Sequence, residues 1–384
     1  MEKVRFGFLG AGISMRYLYG PYMKLLENGR AYAVCDVDKQ RADVARAKWG
    51  IEKAYYDYDQ MLKDPQIDFV VIAVPTNYHK DMVLKAAAAG KHVFCEKPMC
   101  VTVDEADEMI AACKKANVKL MVAFMKRFNS SFCKAKEIID SGALGDVFEL
   151  RVTWDNARAT SSAQSDYRHR LTSGGGYLQE DGSHPIDICR WWMGDVAEVN
   201  GYVMCIGKDR FENEDVSCVA MRHKNNTLST LHITMLTHCT GEERYEVFGT
   251  KATLVMRCIY HSSLTQEHHH IHLYEKSKTV TDLTMPNLWF EYDDTESYVK
   301  KTWQYLRELE HFCECILRDV DPQMTGEDGR AIVEIVNAAY LSAYRKQRVV
   351  LPITGKPDFA KLFENARAET PQMKIGAEPW VSRY

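Results

Sequence analysis

The run Val4 to Leu9 is almost wholly apolar and stops at a glycine, and the same signature returns at Ala31 to Cys35, Phe69 to Val74, His92 to Cys95 and Leu120 to Ala123. Unbroken apolar runs, without a polar residue at every second position, are what strands buried on both faces of a parallel sheet read as. Segments with helical periodicity lie between them: one from about Met15, then Lys39 to Trp49, Lys80 to Ala89 closing at Gly90, and Val103 to Asn117. Strand and helix alternating at this pace predict a doubly wound α/β sheet.

The pattern changes after a helix-like Ser131 to Ser141 and the turn Gly142-Ala143-Leu144-Gly145. Val147 to Trp154, Asp215 to Arg222, Thr227 to Thr237, Arg244 to Phe248 and Thr253 to Cys258 are longer strand-like segments with few helices between them. Strands in succession predict a large, mainly antiparallel open sheet in a separate α+β domain. Two helices follow, Lys301 to Leu317 and Glu327 to Arg345, the second opened by Thr325 with Asp328 three residues on, like a capping box. The expected organisation is a Rossmann domain over residues 1–125 and an α+β domain over residues 126–384, the latter including the carboxyl-terminal helices and a polar, proline-spaced tail. A chain of 384 residues exceeds the size at which single cores stop growing, which agrees with two domains.

Charge narrows the choice of partner. A net charge of -4 with scattered Lys and Arg gives no basic footprint, so nucleic acid is not expected. No apolar run approaches the length that crosses a bilayer, so no membrane partner is expected. The amino terminus, Met1-Glu2-Lys3-Val4-Arg5, lacks the apolar stretch of a secretory signal. Twelve cysteines include no Cys-x-x-Cys, and Cys313 and Cys315 fall on different faces of a helix. They read as reduced thiols of a cytoplasmic protein.

Gly10-Ala11-Gly12, after a strand and before a helix, supplies the tight turn and close backbone approach that a pyrophosphate needs, with Ile13 and Ser14 opening the helix behind it. Met15 stands where the full fingerprint has Gly or Ala. Asp36 ends the second apolar run, in the place of the acidic residue that accepts hydrogen bonds from the adenosine ribose. A carboxylate there repels a 2'-phosphate, so NAD is expected over NADP, although Lys39 and Arg41 lie within reach of a phosphate. Glu96-Lys97-Pro98 closes another run. A lysine in that position projects into the crevice above the carboxyl ends of the strands, where such sheets bind ligands.

The second unusual stretch runs from Gly174-Gly175-Gly176 through Glu180, Asp181 and His184 to Asp187. Three glycines permit a backbone path close to a ligand, and Pro185 suits the first turn of a helix. His184 then sits at a helix amino terminus, whose partial positive charge disfavours imidazolium and keeps the ring available as a proton acceptor. Glu180 precedes it by four residues, so the two side chains share a face if a helical turn has already begun.

These motifs, in this order, carry a resemblance. Gly10-Ala11-Gly12, Pro75-Thr76-Asn77-Tyr78-His79, Glu96-Lys97-Pro98, Arg127-Phe128, Gly174 to Asp187 and Thr325-Gly326-Glu327-Asp328-Gly329 together resemble the glucose-fructose oxidoreductase/inositol dehydrogenase/MocA family over nearly the whole chain. The resemblance implies an NAD-dependent oxidoreductase that moves a hydride between the nicotinamide and a secondary hydroxyl of a sugar, glycoside or cyclitol. It implies cofactor contacts at Pro75, Thr76, Asn77, His79, Glu96 and Lys97, and matches Lys97 and His184 to the family's catalytic lysine and histidine. Glu180 stands where the family has an aspartate, so either Glu180 or Asp181 is the functional carboxylate. Substrate contacts are expected from Lys97, Arg127, Asp155, Tyr167, Arg168, Glu180 and His184.

Hydride removal from a secondary alcohol requires that the hydroxyl proton go to a base. His184 is the expected base, Lys97 the group that stabilises developing alkoxide charge, and Glu180 the residue that orients substrate or base. His268, His270 and His272 alternate and would share one face of a strand, but no carboxylate or cysteine nearby in sequence completes a ligand set, so no metal is expected. Trp289, Phe290 and Tyr292 suit either a sugar-stacking platform or a subunit interface. An open sheet face that needs covering points to a homodimer or homotetramer. Two rival readings remain at this level: a glycosidase or lyase that reduces and reoxidises tightly held NAD through a transient keto-sugar, and a dinucleotide-binding regulator with an inactive site.

Overall fold

The computed structural model describes residues 3–155, 170–207, 211–237, 241–260, 267–275, 280–284 and 303–371. The chain divides into two compact units, Met1–Asn129 with Tyr292–Ala331, and Ser130–Glu291 with Ile332–Tyr384. The simple division expected at residue 125 assigned all later segments to the second domain; the units instead count Tyr292–Ala331 with the first. Phe312 supplies the physical reason. On the helix Gln304–Arg318 it packs its ring edge-on to Phe69, centroids 5.2 Å apart, and against Phe94 at 5.8 Å. Truncating a buried phenylalanine of this kind costs about 3–5 kcal/mol.

Six parallel strands build the sheet of the first unit: β1 (Val4–Leu9), β2 (Gly29–Cys35), β3 (Lys53–Tyr55), β4 (Phe69–Ile72), β5 (His92–Glu96) and β6 (Leu120–Ala123). Their order is β3-β2-β1-β4-β5-β6, the doubly wound arrangement that the alternation predicted. Every residue of β4 and β6 is buried, which is why those strands show no polar alternation. The order reverses between β1 and β4, and the Gly10 turn follows β1 at that point. Short β3 escaped the sequence reading because Lys53-Ala54-Tyr55 has no apolar run to betray it. The helix Val103–Lys115 starts on a complete capping box, Thr102 with Glu105.

The sheet of the second unit has nine strands: β7 (Val147–Asp155), β8 (Val196–Met204), β9 (Val216–His223), β10 (Leu228–Thr234), β11 (Glu242–Gly249), β12 (Ala252–Tyr260), β13 (Glu267–Glu275), β14 (Val280–Asp282) and β15 (Val349–Val350). Their order is β14-β13-β12-β11-β7-β10-β9-β8-β15, antiparallel throughout except for the parallel pair β7 and β10. Buried and less buried positions alternate along β9, β10 and β11, so one face of these strands is packed. The helix Ser183–Met193 lies on β7 and β10, and Phe132 joins its Trp192 to Tyr245 of β11. No helix among the described residues is long and apolar enough to cross a membrane.

Candidate active site

The glycine turn is built for close approach. Gly10 has φ +102°, and a Cβ there would stand 2.4 Å from the Ala73 carbonyl oxygen, so only glycine fits. A Cβ on Gly12 would meet nothing within 4 Å: the space above that backbone is open. The Asp36 carboxylate is fixed against the turn, accepting the Ala11 amide at 2.8 Å on one oxygen and the Asp38 amide at 2.9 Å on the other. Arg41, the nearest guanidinium in sequence, has its Nε 3.2 Å from Asp38. These features suit the pyrophosphate and ribose of NAD and leave the 2'-phosphate of NADP facing an acid.

Behind the turn, Ile13 is exposed, Ser14 is half-buried, and Ser14–Tyr19 forms a wide helical turn in which the Gly20 amide reaches back to the Met15 carbonyl. Met15, the departure from the fingerprint, points into the core with no exposed surface. The widened winding accommodates a long side chain where glycine or alanine was expected.

After β4, Pro75 and Thr76 lead into the helix His79–Ala88, with Thr76 buried and Asn77 exposed. The His79 ring lies between two backbone carbonyls, Nε2 2.9 Å from Val74 and Nδ1 3.0 Å from Pro98. Burial lowers its pKa, against the pull of the carbonyls that face it. His79 therefore ties the turn after β4 to the Glu96-Lys97-Pro98 turn after β5.

Lys97 is half-buried, and its backbone amide donates to Glu96 Oε2 at 3.1 Å. Glu96 is itself buried; its Oε1 is 2.8 Å from the Tyr19 hydroxyl, which lies 2.8 Å from Oε1 of Glu308 as well. Burial pushes the Glu96 carboxyl up, against the pull of the Lys97 charge. Arg127 belongs to this unit too, buried in the turn Met125–Phe128.

In the second unit, Gly174 has φ +83° and leads into a helical turn, Tyr177–Glu180. Asp181 and Gly182 keep right-handed helical angles, so the backbone runs on into Ser183–Met193. Glu180 thus closes one short helix and His184 stands in the first turn of the next, four residues on. Both are about 5% exposed, Asp181 is buried in the same turn, and its carbonyl accepts the His184 amide. The His184 ring lies 6.2 Å from that of Trp154 on β7, tilted by 44°. Asp155, the next residue, is pushed up by burial and by Glu242, its cross-strand neighbour on β11.

The three glycines pack against residues the sequence reading did not single out. Asn213 Nδ2 donates to the Gly175 carbonyl. Glu214 Oε1 accepts the Leu178 amide and the Tyr340 hydroxyl, both at 2.8 Å, and the Tyr340 oxygen accepts the Gly176 amide at 3.1 Å. A Cβ on Gly176 would stand 1.9 Å from Glu214 Oε2, so this glycine makes room for a carboxyl of the protein itself. The polar triplet Asn213-Glu214-Asp215 before an apolar strand was the available signal.

Tyr167, Arg168, Trp289, Phe290 and Tyr292 lie outside the described residues. His270 and His272 share a face of β13 with rings parallel and 6.4 Å apart, and His272 Nε2 is 3.8 Å from Asp282. No group of His, Cys, Asp and Glu among the described residues could hold a metal ion. Among the described residues the cysteines are free thiols, mostly buried.

A doubly wound parallel sheet with a glycine turn at its switch point and an acid ending β2 defines a dinucleotide-binding protein. The model of the Gfo/Idh/MocA oxidoreductase family, NAD-binding Rossmann fold, matches residues 4–124, and that of the Gfo/Idh/MocA C-terminal domain matches residues 132–255. The chain belongs to this family and is an NAD-binding oxidoreductase. It is similar to the myo-inositol 2-dehydrogenase of Thermotoga maritima, 30% identical over 91% of this chain and 98% of the relative. It is also similar to the D-apiose dehydrogenase of Paraburkholderia graminis, 28% identical over 85% of this chain and 84% of that one. Among solved structures, an aldose-aldose oxidoreductase of Caulobacter crescentus complexed with glycerol matches with a TM-score of 0.78 at 25% identity, covering 91% of this chain and 100% of that one.

Proposed function

We propose that the protein moves a hydride between NAD and a secondary hydroxyl of a sugar, glycoside or cyclitol, with His184 and Lys97 handling the proton. The observation that supports this reading most is the burial of Glu180 and His184, an acid and a base four residues apart where one short helix runs into the next. NAD, when bound, supplies the hydride acceptor at its nicotinamide. His184 takes the hydroxyl proton, and Lys97, as ammonium, stabilises the oxygen's developing negative charge. Glu180 orients the imidazole or a substrate hydroxyl, with Asp181 as the other carboxylate of that turn. Arg127 and Asp155 bind neighbouring hydroxyls. Gly10, Gly12, Ile13, Ser14, Asp36, Pro75, Thr76 and Asn77 hold the cofactor, and Glu96 and His79 fix the backbone on either side of it.

The substrate class is supported by the names of the relatives, a myo-inositol 2-dehydrogenase and a D-apiose dehydrogenase. The free thiols support a reducing, cytoplasmic setting. Exposed Phe148, Tyr202 and Tyr274 on the large sheet support a homodimer or homotetramer, which sedimentation would resolve.

The test is a panel of cyclitols, free aldoses and glycosides screened for NAD reduction, repeated with Lys97→Ala and His184→Ala. The expected result is turnover by the wild type, lowered by about two orders of magnitude or more in either variant, with NAD affinity within about threefold. Undiminished turnover in Lys97→Ala would overturn the role given to that residue.

A further inference from the structure

The first unit contains more buried acid than its hydrogen bonds can satisfy in ionised form. The Tyr19 hydroxyl stands 2.8 Å from Glu96 Oε1 and 2.8 Å from Glu308 Oε1. A phenol has one proton and donates to one oxygen. The second contact is a hydrogen bond only if that carboxyl carries a proton of its own. Two ionised carboxylates against one buried phenol would set lone pairs against each other and bury two like charges.

The surroundings decide which carboxyl is the acid. Glu96 has the Lys97 amide on Oε2 and the Lys97 charge beside it, both favouring its ionised form. Glu308 has no exposed surface, and among the described residues no cation counters its burial: burial and the Glu96 charge push it well up, and the Tyr19 hydrogen bond opposes them. Its Oε2 has no hydrogen-bond partner among the described residues. On a neutral acid that oxygen is an unpaired carbonyl, a far smaller cost than half of a buried charge. Of the other groups around the trio, Cys95 is held neutral by burial and the Tyr305 ring stands edge-on to Tyr19, 5.5 Å between centroids.

We propose that Glu308 is a positioning residue for Lys97: as a neutral acid it donates to the Tyr19 oxygen, Tyr19 donates to the Glu96 carboxylate, and Glu96, so fixed, holds the lysine's backbone and faces its charge. The proposal rests on the reading of Lys97 as the group that stabilises alkoxide charge. It makes the helix Gln304–Arg318, far along the chain from the glycine turn, part of the apparatus that sets the lysine in place. What the position requires is a hydrogen-bond donor without charge. A carboxylic acid or an amide provides it; a carboxylate or a hydrocarbon does not.

The experiment combines Glu308→Gln, Glu308→Leu and Tyr19→Phe with infrared spectra of the NAD-bound and free proteins at about pH 8. Wild type is expected to show the carbonyl stretch of a protonated carboxyl that Glu308→Gln lacks. On the best-turned-over compound of the carbohydrate panel, Glu308→Leu and Tyr19→Phe are expected to lower kcat about tenfold or more with KM and NAD affinity within about threefold. Glu308→Gln is expected to restore kcat to within about threefold of wild type. No band lost in Glu308→Gln, or equal activity of the Leu and Gln variants, overturns the proposal. Lys97→Ala separates the two readings: if it is inactive while Glu308→Leu is fully active, only this proposal fails. If Glu308→Leu does not fold, Tyr19→Phe and the infrared comparison decide.

Discussion

Two buried tyrosines, one in each unit, meet buried carboxyl groups in different ways. Tyr340 gives its proton to Glu214 Oε1, the oxygen that also receives the Leu178 amide, while its own oxygen accepts the Gly176 amide. Tyr19 stands between two carboxyls, and among the described residues a backbone amide reaches Glu96 but not Glu308. Around Tyr340 the acid is anchored by the backbone of the glycine segment it supports. Around Tyr19 it is satisfied by a second acid and an extra proton. Burial pushes Glu214 up to about 8 and Glu308 well above the usual carboxylate range, so each cluster holds one acid in its neutral form. The cluster with backbone donors should tolerate loss of its phenol better than the one without.

The largest expected effect is a pH dependence of stability. The folded value of Glu214, about 8, exceeds its ordinary 4.5, so between those values the folded protein holds a proton the unfolded chain has released. Its contribution is complete below about pH 4.5 and declines as pH rises to about 8, by up to about 1.4 kcal/mol per pH unit. Asp215, pushed to about 6, acts in the same direction over a lower range. Glu214→Gln should therefore flatten the slope between about pH 4.5 and 8, as read from urea unfolding; an unchanged slope there means that Glu214 is ionised in the folded protein.

Next comes Gly176→Ala. Its Cβ would fall 1.9 Å from Glu214 Oε2 and 2.7 Å from the Glu214 carbonyl, and the second is backbone that cannot step aside. A loss of about 3 kcal/mol is expected from the same denaturation measurement. Stability within about 0.5 kcal/mol of wild type would show that the glycine segment has slack. Tyr19→Phe should cost about 2–3 kcal/mol, since it strips the one phenol shared by two buried carboxyls. Tyr340→Phe should cost less, about 1–2 kcal/mol, because Glu214 keeps the Leu178 amide. The reverse order would erase the distinction between the clusters.

The same two clusters show where sequence reading stops. Glu308 occupies an apolar-face position of its helix, in step with Tyr305, Leu309 and Phe312, and a charge there is a visible anomaly. Its partner Tyr19 is 289 residues away, and no spacing reveals that pairing. Gly176 was legible as a backbone that needs room, but nothing in the sequence shows that Glu214 of the protein itself stands against it. His79 was expected beside the cofactor; its two ring nitrogens face backbone carbonyls.

The sequence by itself determined the parallel sheet, the glycine turn with Asp36, the lysine ending β5 and the Glu180 to His184 spacing. Each is written in contiguous residues through burial, backbone freedom or helical period. Only the tertiary structure decided that the helix Gln304–Arg318 returns to the first unit, that Tyr19 is shared by two acids, and that Glu214 and Tyr340 hold the glycine segment. Those outcomes depend on which distant groups are buried together, and a buried acid's protonation is set by its neighbours in space, not by its neighbours in the chain.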